Sequence, residues 1–168
     1  MKTFPALILI FLVFFLSMAI AGQLRFGGVS FNLVFVAFVF IGLFSSGKTV
    51  FAAGLFAGFF SDLFSSPIFG VYLLAFSAAA AILIAAKSYI FAKPNVLVFL
   101  TEVFLAGVFF DLFAMFLNKF LAFINLQDFA VGWKYFLTYL LPLNLAMNLA
   151  AGLAVFMVAR MFKKRLSA

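Results

Sequence analysis

The amino-acid sequence predicts an all-α fold: a polytopic bundle of about six transmembrane helices forming a single integral membrane domain over residues 1–168. Three observations point there. Hydrophobic residues make up 69% of the chain and charged ones 9%, whereas a soluble domain runs near half apolar and about a quarter charged. The apolar residues gather into runs, several of them near the roughly 20 residues that carry a helix across a bilayer. Lysine and arginine stand at the ends of those runs, so membrane topology explains the net charge of +7 better than nucleic acid does.

Cysteine and histidine are absent, which removes disulfides, thiolate nucleophiles, Cys/His zinc sites and imidazole bases. Much enzyme chemistry is thereby excluded, and no catalytic, cofactor-binding or metal-ligating set is predicted. Its thirty phenylalanines suit surfaces that face lipid or pack helix on helix.

The first run, Phe4 to Gly22, follows Lys2 and contains Ala19-Ile20-Ala21, similar to a signal-peptidase site after an apolar segment. It is read here as an uncleaved first span, 4–22. Charges and turn residues bound five further spans at 31–45, 49–64, 69–91, 95–117 and 135–159. The second and third are short for a bilayer crossing and meet at Ser45-Ser46-Gly47-Lys48. They read as tilted helices, as helices in a thinned bilayer, or as one re-entrant pair that would leave five spans. Before the fourth span, Phe64-Ser65-Ser66-Pro67-Ile68-Phe69-Gly70 is a breaker cluster, with Ser66 able to cap a helix whose first residue is Pro67. The stretch from Asn118 to Lys134 mixes polar and apolar residues and is expected to lie along the outer interface. Trp133, Tyr135 and Tyr139 then mark re-entry through an aromatic belt.

With the N-terminus inside, six spans place Lys2, Lys48, Lys87, Lys93, Arg160, Lys163, Lys164 and Arg165 in the cytoplasm, against Arg25, Lys119 and Lys134 outside. That bias follows the positive-inside rule and puts both termini in the cytoplasm.

The most informative segment runs from Gly54 to Asp62, where Gly54, Gly58 and Asp62 recur every fourth residue and share one helix face. Glycines so spaced let another backbone approach closely, and small residues favour helix association in lipid. An echo stands 49 positions on: Ala57-Gly58-Phe59-Phe60-Ser61-Asp62-Leu63-Phe64 matches Ala106-Gly107-Val108-Phe109-Phe110-Asp111-Leu112-Phe113 at six of eight places. Internal duplication and chance both remain open as its origin.

Asp62, Glu102 and Asp111 are the acids that fall within or near predicted spans, where an ionisable group is expensive. Packing or anchoring at the interface is the preferred reading for each, ion coupling the sharper one; Asp62 and Asp111 would be solvated if they lie at the outer surface. Glu102 and Asp111, nine residues apart, point to opposite sides of an ideal helix and cannot pair. In the last span Pro142 precedes Asn144, Asn148 and Gly152, a stripe at intervals of four. Its amides read as hydrogen-bonding glue or as a binding surface.

Taken together, Gly54, Gly58, Asp62, Leu63, Ser65, Pro67 and Gly70 resemble the glycine-glycine-aspartate helix and serine-proline-glycine turn of the MreD family of bacterial rod shape-determining membrane proteins. The length, the six-span layout, Pro142 with a following asparagine and the basic C-terminal tail are similar as well. Two residues separate Pro67 from Gly70, where the family pattern has one. The resemblance implies a non-enzymatic component of the cell-elongation machinery in the bacterial cytoplasmic membrane, organising lateral peptidoglycan synthesis. Its implied partners are membrane lipid, an MreC-like protein and, beyond these, MreB, RodA and a class B penicillin-binding protein. Gly54, Gly58, Asp62, Ser65, Pro67, Gly70, Asn144 and Asn148 would serve helix packing or the partner interface. MreD also resembles in fold the substrate-binding S components of energy-coupling-factor transporters, which supplies the alternative: a vitamin-type S component. An aspartyl protease using Asp62 and Asp111 is a distant third, since neither stands in a Gly-x-Gly-Asp setting.

Overall fold

Apolar runs that lack interrupting polar clusters wind into helices, because away from water every backbone N–H and C=O needs a partner and a helix supplies it locally. The computed structural model describes residues 2–21, 25–26, 29–65, 68–89, 95–128 and 131–166. Five continuous helices come first: α1 (Thr3–Ala21), α2 (Leu33–Phe44), α3 (Gly47–Ser65), α4 (Val71–Tyr89) and α5 (Val96–Phe123). The last, α6, covers 133–166 in three joined pieces: Trp133–Tyr135, a π-helical Phe136–Leu140 and Leu141–Leu166. The π turn ends two residues before Pro142, which has no N–H to bond to the carbonyl four residues back. Between α1 and α2 lie two-residue strands, β1 (Arg25–Phe26) and β2 (Val29–Ser30), paired antiparallel.

The six helices correspond one to one with the six predicted runs, though several boundaries move, the largest shift being the end of α6, at Leu166 where 159 was expected. Helix α4 begins at Val71, not at Pro67; Ser66 and Pro67 lie outside the described residues. Helix α5 runs on to Phe123, so the first part of the expected interfacial stretch is helical. Asn118, the first residue of that stretch, turns its side-chain amide back to the carbonyl of Ala114 at 2.8 Å and leaves the helix intact. The turn after it is tied by Gln127, whose amide donates to the Asn118 carbonyl at 2.9 Å, and bends at Asn125 with a positive φ of 59°. Helix α6 starts two residues earlier than the predicted span, at Trp133.

The centre of the bundle is α2. Nine of its twelve residues are buried, and α1, α3, α4, α5 and α6 all pack against it. A helix apolar all the way round needs such an enclosure. Part of the phenylalanine excess fills this centre: Phe35 and Phe38 of α2 meet Phe76 of α4, and Phe110 of α5 lies 4.8 Å from Phe76 and 5.2 Å from Phe35, ring centre to ring centre. Such tilted and edge-on pairs add to plain burial. Many of the other described phenylalanines are exposed, with Phe4 at 75% and Phe123 at 83%.

By length and composition two helical stretches, Val96–Phe123 and Trp133–Arg160, are long and apolar enough to cross a membrane. At 1.5 Å per residue, the 28 residues of α5 span about 42 Å, while the 19 residues of α3 or α4 span about 28 Å. Phe110 packs on Tyr72 and Phe76 in the first turns of α4. The rest of α5 therefore runs past the start of α4.

Candidate functional site

Helix ends within the bundle set the polar architecture, because the first four N–H and last four C=O groups of each helix need partners from elsewhere. At the start of α4 the partner is Asp62, near the end of α3. Its Oδ2 accepts the backbone N–H of Gly70 at 2.9 Å and of Leu73 at 2.8 Å, and its Oδ1 that of Tyr72 at 2.8 Å. A carboxylate there also meets the positive end of the helix dipole. Gly70 enters α4 with φ at +111°, a backbone shape that glycine adopts freely.

The same face of α3 carries the two glycines. A Cβ at Gly58 would lie 2.5 Å from Leu73 Cα and 2.8 Å from the Tyr72 carbonyl oxygen, so α4 passes directly over it. A Cβ at Gly54 would meet the Phe76 carbonyl at 3.1 Å and the Phe38 ring at 3.2 Å. Gly54, Gly58, Asp62 and Gly70 thus belong to one junction, α3 on α4. Ser65 closes α3, and Pro67 lies outside the described residues.

Asn144 and Asn148 serve a neighbouring group. Asn148, 5% exposed, accepts the N–H of Asn32 at 3.3 Å, while the Asn32 side chain caps α2 by accepting the N–H of Phe35 at 3.0 Å. Asn144 hydrogen-bonds the Asp111 carboxyl. Gly152, one turn further, meets Phe99 and Val103 of α5. Tyr72 joins the two groups: its ring stacks on Phe110 at 6.1 Å and its hydroxyl lies in the electrostatic field of both Asp111 and Asp62. Neither aspartate has the solvated position considered from the sequence; Asp62 is 4% and Asp111 9% exposed.

A second polar group lies at the opposite end of α4. Lys87 donates to the carbonyls that end α2, at 2.6 Å to Ser45, 3.3 Å to Gly42 and 3.4 Å to Leu43. A cation at a helix C-terminus complements the dipole, and the charge of Lys87 also acts on Glu102 of α5, 2% exposed. Glu102 and Asp111 stand at opposite edges of the broad buried arc of α5, so both turn inward at different heights. Replacing Lys87 by methionine is expected to cost about 1–3 kcal/mol of stability, measured by thermal unfolding of the purified protein in detergent. Lys87→Arg should retain most of it.

Three members of this architecture were not among the sequence-derived site residues: Asn32, Tyr72 and Lys87. Asn32 had a signal, a capping residue just ahead of an apolar run. Lys87 had been assigned to topology alone, and nothing local announces a contact made across more than forty residues.

Comparison of the chain with family models, with curated proteins and with solved structures finds no match. Fold and site together define a helical bundle with stretches of membrane-crossing length, in which the start of α4 and the end of α2 are closed by side chains reaching from α3 and α4.

Proposed function

We propose that the protein is a multi-pass component of the bacterial cytoplasmic membrane that acts as a non-enzymatic, MreD-like scaffold of the cell-elongation machinery. In this reading all six helices lie in the bilayer, both termini face the cytoplasm, and an MreC-like protein is met at the outer side. The large apolar residues exposed on the bundle, from Phe4 and Leu12 to Phe116 and Met157, support a lipid environment, since a soluble protein rarely exposes contiguous apolar surface on this scale.

The observation that carries the family reading is the α3–α4 junction. Gly54, Gly58, Asp62 and Gly70, the residues that resemble the MreD pattern, act together: two glycines admit α4 and one carboxylate closes it. Four matching letters that form one physical unit are stronger support than four scattered ones. The same geometry commits that face to the bundle's interior, so a partner would meet other surfaces. Recovery of an MreC-like protein with the full chain from native membranes, and rounded cells on depletion, are the expected results. No such partner together with unchanged cell shape would overturn the proposal.

The buried polar groups of Tyr72, Asp111 and Asn144 give the S-component alternative its one support, because a ligand pocket needs convergent polar groups. A vitamin-like ligand surviving purification, or uptake dependent on an ATPase module, would favour it.

A further inference from the structure

The two ends of the bundle carry opposite charge. Asp62 and Asp111 belong to the end where α4 begins, and Asp128 follows α5 at that same end. At the other end, where α4 finishes, Lys2, Lys48, Lys87 and Arg160 are all exposed, while Glu102, the last of the chain's four acids, is 2% exposed. Three of these lysines gather around one strip of chain, Ser45 to Thr49. The hydroxyl of Thr3, next to Lys2, shares a hydrogen bond of 3.0 Å with that of Thr49, next to Lys48. Thr49 also meets the Ser46 hydroxyl at 3.2 Å, and Lys87 reaches the Ser45 carbonyl at 2.6 Å. Helices α1, α3 and α4 thus bring three positive charges to one patch, with no exposed acid beside them among the described residues. Like charges held together repel, and an anion placed between them offsets that repulsion.

We infer that Lys2, Lys48 and Lys87, with the exposed Ser46, form a docking patch for the headgroup of an anionic phospholipid at the cytoplasmic end of the bundle. Charge selects the partner: basic clusters where helices leave the membrane attract anionic headgroups, whereas a zwitterionic headgroup brings no net charge to answer them. Lys2 and Lys48 supply the direct contacts, since a lysine stem can lie along apolar surface and lift its ammonium to headgroup level. Lys87 is already engaged with the carbonyls that end α2, so it contributes its charge. Phe4 and Phe51, just inside Lys2 and Lys48 on α1 and α3, are 75% and 45% exposed and offer the acyl chains an apolar surface. The inference rests on the membrane placement proposed above and on none of the protein partners.

The test reconstitutes the full-length protein in vesicles of phosphatidylglycerol with excess phosphatidylcholine, extracts it in mild detergent, and measures by mass spectrometry the ratio of the two lipids that stay bound. The unaltered protein is expected to retain phosphatidylglycerol well above its share of the vesicle. Lys2→Gln and Lys48→Gln should each lower that enrichment about fivefold, the factor that one basic side chain at an anionic surface supplies. Either change leaves the inner end more basic than the outer, so orientation is kept. Lys163→Gln with Lys164→Gln removes equal charge outside the patch and should lower the enrichment less than Lys2→Gln with Lys48→Gln. Screening shortens from about 10 Å at 0.1 M salt to about 3 Å at 1 M, so high salt should release the lipid from the unaltered protein, a readout that needs no variant. Absence of enrichment, equal losses in the patch and tail variants, or retention indifferent to salt overturns the inference. So does displacement by inorganic phosphate at constant ionic strength, which would identify a soluble phosphate as the occupant. Enrichment without recovery of an MreC-like partner supports the patch and counts against the scaffold alone.

Discussion

Replacing Gly58 by valine is expected to separate α3 from α4 and to abolish a stable, monodisperse protein in detergent. Even one methyl group at this position would stand 2.5 Å from Leu73 Cα and 2.8 Å from the Tyr72 carbonyl, and both are backbone atoms that cannot rotate away. Overpacking typically costs about 1–3 kcal/mol where side chains can shift. With backbone on the far side, Gly58→Ala should lie at or above the top of that range. Gly54→Ala, whose nearest contact would be 3.1 Å, should cost less, and Gly152→Ala, at 3.4 Å from the Phe99 ring, least of the three. Chaotrope-induced unfolding of the three alanine variants measures the order. A Gly58→Ala protein as stable as Gly152→Ala would mean that α4 does not sit where the structure puts it.

Asp62→Ala should be of similar severity by a different route. It leaves the N–H groups of Gly70, Tyr72 and Leu73 without their acceptor. Each stranded donor costs about 1–3 kcal/mol when buried, and the three are not additive because they share one side chain. A total of about 3 kcal/mol or more is expected. Asp62→Asn offers one carbonyl oxygen in place of two carboxylate oxygens and should fall between the native protein and Asp62→Ala. The unfolding midpoint measures the ranking, and hydrogen exchange localised to the first turn of α4 would show where protection is lost.

Much of this junction was legible in the sequence because a period of four is the signature of one helix face, and glycine on such a face has few uses other than close approach. The role of Asp62 was only half legible. Its place on the glycine face could be read, but the groups it serves lie eight to eleven residues on, past a turn whose shape the sequence leaves open. The packing role of Lys87 was not legible because a lysine near a helix end satisfies the positive-inside rule whether or not it also closes another helix. The end of α5 was placed too early for a comparable reason: Asn118 and Lys119 look like an exit from an apolar run, yet an asparagine that bonds back to Ala114 need not end a helix. Helix α2 could have been recognised as interior, since from Leu33 to Phe44 it has no polar side chain on any face.

The echo between 57–64 and 106–113 also takes on spatial meaning. In each copy the glycine and the aspartate face the next helix in the chain: Gly58 and Asp62 toward α4, Gly107 and Asp111 toward Leu145 and Asn144 of α6. The copies differ in what the aspartate finds there, a helix start in one and a lone amide in the other.

The enclosure of α2 bears on how the chain is made. A helix walled in by five others cannot be added to a finished bundle; it has to be in place before the walls close. Ribosomal synthesis delivers it after α1 and ahead of α3, α4, α5 and α6, so most of its walls emerge after it does. A circularly permuted gene that supplied α2 last would ask the finished shell to reopen for its own centre.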